Sequence, residues 1–125
     1  MRRKWRMALG LAVTASLLAA PALAHHSSAM FDKTKTVTLA GTVSQFQWTN
    51  PHSWIQIVVE DGGAPVEWSV EMGAPVQLFG LGWRPGSLKP GDKIVVVANP
   101  MRDGSHGAMY LTGKRQDGSA IVKGG

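Results

Sequence analysis

The stretch Trp48-Thr49-Asn50-Pro51-His52-Ser53-Trp54 separates two runs in which apolar and polar residues alternate. Asn-Pro starts turns, and proline lacks the N–H that a strand interior uses, so one strand ends before this stretch and another begins after it. The turn places an imidazole between two indole rings, a composition typical of small binding sites. We therefore predict a tight corner between two strands, with His52 at a binding surface.

Before the corner, residues 36–48 alternate as a half-buried strand rich in β-branched side chains. The apolar positions share one parity up to Val43, whereas Phe46 and Trp48 belong to the other parity. This slip predicts a bulge or a strong bend in a long first strand. Gly41 is a second candidate for the point at which the strand coils.

After the corner, the pattern predicts two more strands, over 53–60 and 66–72, joined by the turn Asp61-Gly62-Gly63. A helix is expected to start at Pro75 and to be limited to about two turns by Gly80 and Gly82. Its apolar residues are Val76, Leu78, Phe79 and Leu81.

The last third of the chain predicts a fourth strand over 94–98, which Asn99-Pro100 should end, and a fifth over 108–114. A short edge strand over 119–123 is the sixth candidate. This order predicts an all-β fold with small α content, an OB-like Greek-key barrel of five to six strands with one short helix between strands 3 and 4. An immunoglobulin-like sandwich would require about seven strands and no helix.

The first residues have the features of a secretory signal peptide. The basic segment 1–6 precedes an apolar segment over 7–20, and Ala22-Leu23-Ala24 stands directly before His25. The apolar segment is too short to cross a bilayer core of about 30 Å as a helix, so no stable membrane anchor is expected after cleavage. We predict a cleaved leader over 1–24, an arm over 25–35, and an OB-like domain over 36–125.

Charge and cysteine content exclude several functions. The leader holds four of the thirteen basic residues and none of the eight acidic ones, so the mature chain has nine basic and eight acidic side chains, a net charge of +1. The basic footprint of a nucleic-acid-binding protein is missing, and nucleic acid is not an expected partner. Because the chain has no cysteine, thiol catalysis and thiolate metal sites are excluded.

Five short motifs together resemble one protein family. They are His25-His26-Ser27, Phe31-Asp32, Gly41-Thr42-Val43, the corner 48–54, and Leu88-Lys89-Pro90-Gly91-Asp92. The chain resembles the small exported bacterial proteins of domain-of-unknown-function family 6152. The resemblance implies a single exported domain, usually in the periplasm of Gram-negative bacteria, and it supplies no catalytic residues.

The histidines next to the predicted cleavage site form a candidate metal site. Cleavage after Ala24 would let the α-amine and imidazole of His25 chelate one ion, with His26 adding a second imidazole and His52 completing the site if the arm folds over the corner. Amine and imidazole donors suit Cu(II) best. Cleavage after Ala22 would also favour Cu(II). In the alternative interpretation the arm is simply solvated and His52 hydrogen-bonds the backbone of its own turn.

A second candidate site is the outward face of strands 2 and 3, the usual ligand face of an OB-fold. Its residues, grouped by strand parity, are His52, Trp54, Gln56, Ser69 and Glu71. The competing interpretation is that a tryptophan at the rim only covers the barrel core. Trp68, on the opposite parity, is predicted to be a core residue.

No catalytic pattern emerges from the sequence. Glu67 and Glu71 are four residues apart on a strand, about 13 Å at about 3.3 Å per residue, too far for a paired-carboxylate site. Ser53 points away from His52, and no nucleophile-elbow pattern surrounds any serine. We expect no enzyme. The main hypothesis is a periplasmic module that binds a small ligand or an envelope protein; a copper-binding protein and a purely structural envelope role are the alternatives.

Overall fold

The structure is a computed structural model that describes residues 28–123. The predicted leader, together with His25 and His26, lies outside these residues. Five strands and one helix follow one another along the chain: β1 (Val37–Gln47), β2 (Trp54–Val59), β3 (Val66–Glu71), α1 (Pro75–Gly80), β4 (Lys93–Pro100) and β5 (Gly107–Arg115).

The five strands close into a barrel in the order β1-β2-β3-β5-β4, with β4 returning to β1. Every neighbouring pair is antiparallel except β3 and β5, which are parallel. This arrangement, with a short helix between β3 and β4, confirms the predicted OB-like barrel. The expected sixth strand is wrong: among the described residues, the segment after β5 makes one isolated bridge, from Ala120 to Lys114.

The predicted irregularity in the first strand is also confirmed. The register of β1 against β2 shifts between Val43 and Gln45, where the apolar parity changes. Gly41 lies earlier in β1, at a close approach to β2. A Cβ at this position would overlap the Val58 carbonyl oxygen and would lie 2.9 Å from the Ile57 side chain, so only glycine fits without a backbone shift.

The barrel interior is filled by aliphatic side chains from the predicted inward parity. The members with no solvent exposure include Ile55, Ile57, Val70, Ile94 and Val96. Alternation with outward residues places each of them on the inner face of its strand. Their complete burial supplies the largest apolar contribution to the stability of the fold.

The fourth strand is longer than predicted, because β4 continues through Asn99 and Pro100. Pro100 pairs with Ala108 of β5, and its carbonyl accepts the Asp32 N–H at 2.8 Å. The expectation that Asn99-Pro100 ends the strand is wrong, since these contacts do not require a proline N–H. The described part of the arm therefore docks on the end of β4 and buries Phe31, which is 3% exposed.

Helix α1 starts at Pro75, as predicted, and the Ala74 N–H donates to Gln77 Oε1 at 3.1 Å. Of its apolar side chains only Leu78 is buried. Val76, Phe79 and the following Leu81 are 79%, 57% and 66% exposed, so the expected apolar face does not face the core. Six residues make less than two turns, and only one position points towards the barrel.

Candidate functional site

A cavity of about 650 Å³ opens between α1, the end of β3, the middle of β5 and the docked segment that precedes β1. Its walls are mostly apolar and come from four separate parts of the chain: Phe31, Met72, Leu78, Trp83, Met109 and Tyr110. Leu81 and Leu111 also line it and are 66% and 47% exposed. His52 and Glu71 supply the ionisable groups of the lining.

The aromatic wall of the cavity is held by edge contacts among three rings. Trp83 is 4% exposed and packs with its ring centroid 5.8 Å from those of Phe46 and Tyr110. Burial raises the pKa of Tyr110 to about 12, so its phenol stays neutral at physiological pH. Trp83 thus anchors the loop after α1 to β1 and β5 together.

The corner places His52 at the cavity because it is tied to the end of β3. The Ser53 N–H donates to the Gly73 carbonyl at 3.0 Å, and the Met72 N–H donates to the Ser53 carbonyl at 2.8 Å. The Asn50–Pro51 peptide bond is cis. The Ser53 hydroxyl is completely buried and has no hydrogen-bond partner.

The imidazole of His52 is oriented by two groups from the end of β3. Its Nδ1 lies 3.1 Å from the Met72 carbonyl oxygen and 3.3 Å from Glu71 Oε1. A carbonyl oxygen can only accept, so Nδ1 carries the proton and Nε2 holds the lone pair of the neutral ring. The hydrogen bond therefore goes to the neighbouring strand and not, as the alternative interpretation expected, to the backbone of the turn.

Glu71 is an unusual residue for a sheet surface because its side chain is only 10% exposed. Burial raises the pKa of this carboxyl, and the nearby charge of His52 opposes the shift without cancelling it. Glu71 is paired with Trp54 on β2 and with Met109 on β5. The site thus combines a half-exposed imidazole with a buried carboxyl of raised pKa.

The sequence-predicted ligand face is divided by the structure. Trp54 lies opposite Glu71, and Gln56 lies opposite Ser69, which confirms their shared face. Of the five predicted residues, however, only His52 and Glu71 line the cavity. The Ser69 hydroxyl donates to Gln56 Oε1 at 2.6 Å, and the Gln56 amide donates to Gln47 Oε1 at 2.9 Å. These polar groups satisfy one another on the outer surface of the sheet.

The predicted metal ligands are only partly described. His52 is at the cavity, whereas His25 and His26 lie outside the described residues. The fourth histidine, His106, packs its ring against Trp68 at 5.1 Å and is not part of the cavity lining. Trp68 itself is half-buried and packs against the core. Within residues 28–123, no three histidine or carboxylate side chains come together as a metal-binding group.

Comparison with known protein families gives one decisive match. The model of a family of unknown function, DUF6152, matches residues 13–110. The chain belongs to the DUF6152 family. No curated protein matches this DUF6152 chain significantly in sequence.

Solved structures support the fold of this DUF6152 protein. Two crystal forms of Rim1, a mitochondrial single-stranded DNA binding protein from S. cerevisiae, match with a TM-score of 0.50 each. Their sequence identities are 12% and 10%; each match covers 66% of this chain and 93% or 92% of Rim1. At such identities the likeness shows a shared OB-type barrel. Within the part of the chain that is described, no helix is long and apolar enough to cross a membrane.

Sequence reasoning missed most of the cavity wall of this DUF6152 chain. Trp83 belongs to a turn-rich segment, and Tyr110 belongs to a strand far from the corner in sequence. They meet His52 only because β5 inserts between β3 and β4. One local signal was present: a tryptophan among turn residues is a large apolar side chain that a loop exposes at a cost, so burial was to be expected.

Proposed function

We propose that this chain is an exported, non-catalytic binding module whose cavity takes a small ligand with an apolar body. The cavity itself carries the proposal. Its volume of about 650 Å³ is within the range of about 300–1,000 Å³ typical of small-molecule sites. Apolar and aromatic walls with a few polar groups are the usual composition of such sites.

The polar groups of the cavity define the ligand's second requirement. Glu71 offers carboxylate oxygens beside an imidazole whose Nδ1–H is already engaged by the Met72 carbonyl. A hydroxyl or amine on the ligand would donate to this end while the rest of the molecule contacts Leu78, Trp83 and Tyr110. The matching ligand class is a small amphiphile with an apolar body and one donor group.

The proposal of a non-catalytic role rests on the surroundings of His52. Ser28 lines the same cavity, but no described serine hydrogen-bonds to His52. The Ser53 hydroxyl, next to His52 in sequence, is buried and absent from the cavity lining. A histidine whose base nitrogen has no nucleophile in hydrogen-bond reach lacks the arrangement that nucleophilic catalysis requires.

Nucleic acid is not the proposed ligand, although Rim1 binds single-stranded DNA. The outer face of β2 and β3 carries the exposed carboxylate of Glu67 and the carboxyl of Glu71. Carboxylates repel the phosphates on which nucleic-acid affinity largely depends. A labelled single-stranded oligonucleotide at low salt is expected to show no saturable binding; salt-sensitive, saturable binding would contradict the proposal.

Export is supported by the basic, apolar and small-residue segments that precede His25. Expression of the full chain in a Gram-negative host, followed by fractionation, is expected to place the product in the periplasm. Its intact mass should correspond to a chain that starts at His25. Recovery of an unprocessed chain from the cytoplasm would contradict this part of the proposal.

The cavity is tested with a neutral apolar dye, N-phenyl-1-naphthylamine, whose fluorescence rises in apolar surroundings. Saturable binding with quenching of tryptophan emission is expected, since Trp83 forms part of the wall. Leu81→Asp puts a carboxylate in the cavity lining and should weaken binding at least about tenfold, or about 1.4 kcal/mol.

Val76→Asp is the matched control because Val76 is exposed on the same helix and is not part of the cavity lining. It adds the same charge and should leave dye affinity unchanged. Circular dichroism establishes that both variants fold. Absence of saturable binding by the parent, or equal losses in the two variants, would contradict the proposed site.

A further inference from the structure

His52 is held as metal-binding histidines are held. Such histidines use one ring nitrogen for the ion and donate the other N–H to a carbonyl or a carboxylate, which fixes the ring and its tautomer. Nδ1 of His52 meets both kinds of acceptor, the Met72 carbonyl at 3.1 Å and Glu71 Oε1 at 3.3 Å. Nε2 is left with the lone pair that a metal ion requires. The ring is 38% exposed, so an ion can reach it.

The remaining donors cannot come from the described barrel alone, because residues 28–123 contain no group of three suitable side chains. The N-terminal segment supplies them by covalent connection. Ser28 lines the cavity together with His52. At about 3.8 Å per residue, the Cα of His26 is within about 8 Å of the Ser28 Cα, and that of His25 within about 11 Å. Both imidazoles are therefore tethered within reach of the cavity.

We propose that His52 is the barrel ligand of a Cu(II) site completed by the α-amine and imidazole of His25 and by the imidazole of His26. Nitrogen donors of this kind favour Cu(II) over the other divalent first-row ions. The inference goes beyond the proposed function, because the site requires no organic ligand.

The cavity lining also favours copper over zinc. Met72 and Met109 both line the cavity, and Met109 is paired with Glu71 across β3 and β5. Thioethers are soft ligands that suit copper in its reduced state and do not suit zinc. Their spacing in sequence gave no such indication; the parallel pairing of β3 and β5 brings them to the same site. Copper is accordingly the ion to test, and Zn(II) is the comparison.

The experiment is a calorimetric titration of the mature protein with Cu(II), and separately with Zn(II), in a non-chelating buffer. Intact mass first establishes that His25 is the first residue. The parent should bind one Cu(II) and prefer it to Zn(II). His52→Ala should weaken Cu(II) binding by more than the roughly 10–100-fold that loss of a supporting outer partner costs. Its copper electron paramagnetic resonance spectrum should lose the coupling of one nitrogen.

His106→Ala is the matched control, since it removes an imidazole that stacks on Trp68 outside the cavity lining. It should bind Cu(II) as the parent does. The double variant His25→Ala/His26→Ala should lose tight binding. A chain with one alanine added before His25 moves the α-amine and should also bind more weakly. Unfolding curves of each variant exclude loss of structure as the cause.

Three results would overturn the inference: no Cu(II) binding by the parent, a mature chain that does not start at His25, or a His52→Ala variant with parental affinity and spectrum. The last result would show a purely N-terminal site. Leu81→Asp separates this inference from the proposed function, because it should abolish dye binding and leave Cu(II) affinity intact. Dye binding without copper binding would overturn only the metal site, and the reverse only the proposed function.

Discussion

The strands in the middle of the barrel bury aliphatic side chains, whereas the end that holds the cavity buries polar groups and exposes apolar ones. In the middle, Ile55, Ile57 and Val96 have no solvent exposure. At the cavity end, the Ser53 hydroxyl is buried without a partner and Glu71 is 7% exposed. Both patterns belong to one short chain, so the difference is not a matter of composition.

The exposed side of the cavity end deviates just as far from what stability favours. Val76, Phe79 and Leu81 are more than half exposed, although apolar burial is the main source of stability in folding. Regions that depart from the rules of stable packing are where functional sites are expected. The comparison therefore separates the part of the barrel that holds the fold together from the part that is available for binding.

The largest effect is expected in the middle of the barrel. Ile57→Ala removes a fully buried side chain from β2 and should lower the free energy of unfolding by about 2–5 kcal/mol. Urea denaturation measures the loss. Dye affinity of the remaining folded protein should not change, since Ile57 is not part of the cavity lining. A loss below about 1 kcal/mol would contradict the assigned role of the core.

At the corner, two serines should respond in opposite directions. Ser53→Ala removes a buried hydroxyl without a partner and should leave stability unchanged or raise it by up to about 1 kcal/mol. Ser69→Ala removes a hydroxyl that donates to Gln56 at 2.6 Å and should cost about 0.5–1.5 kcal/mol. Urea unfolding of both variants gives the comparison. Equal losses would show that the Ser53 hydroxyl has a partner after all.

Glu71→Gln should change how stability depends on pH. Burial raises the pKa of Glu71 above 4.5, so the folded state binds this proton more tightly than the unfolded state. The corresponding stability is complete below pH 4.5 and is lost as pH rises through the folded-state pKa. The variant lacks this decline, so its stability relative to the parent should increase with pH over that window. Urea unfolding from pH 4 to 8 measures the difference; a constant or opposite trend would contradict it.

The smallest effect is expected on α1. Phe79 is 57% exposed, and its main partner is the Arg84 guanidinium, 3.7 Å from the ring centroid. Phe79→Ala should cost about 0.5–1 kcal/mol, the value of an exposed cation–π contact. The shift of the thermal midpoint should be much smaller than for Ile57→Ala. Comparable shifts would show that α1 belongs to the stable part of the molecule.

The sequence predicted the barrel well because its signals are local. The parity slip at Phe46 corresponds to the bulge in β1, and the shared face of Trp54 and Glu71 corresponds to their pairing. The orientation of α1 could not be predicted, since the apolar pattern does not tell which side chains a helix of less than two turns can bury. Only Leu78 reaches the core.

The cavity was predicted only in part. His52 and Glu71 were found from the corner and from strand parity, whereas Trp83, Tyr110 and Phe31 were not. These three come from a loop, from β5 and from the docked arm, and non-local pairing alone brings them together. Local periodicity carries no information about that pairing.

The parallel pairing of β3 with β5 has a consequence for the order of folding. Because β5 lies between β3 and β4, the first four strands alone leave an open edge on each of those two strands. The barrel closes only when the last strand arrives, and such distant pairings form slowly. A chain synthesised from its N-terminus therefore stays open until almost all of it has been made. Late closure suits a protein that travels before it folds.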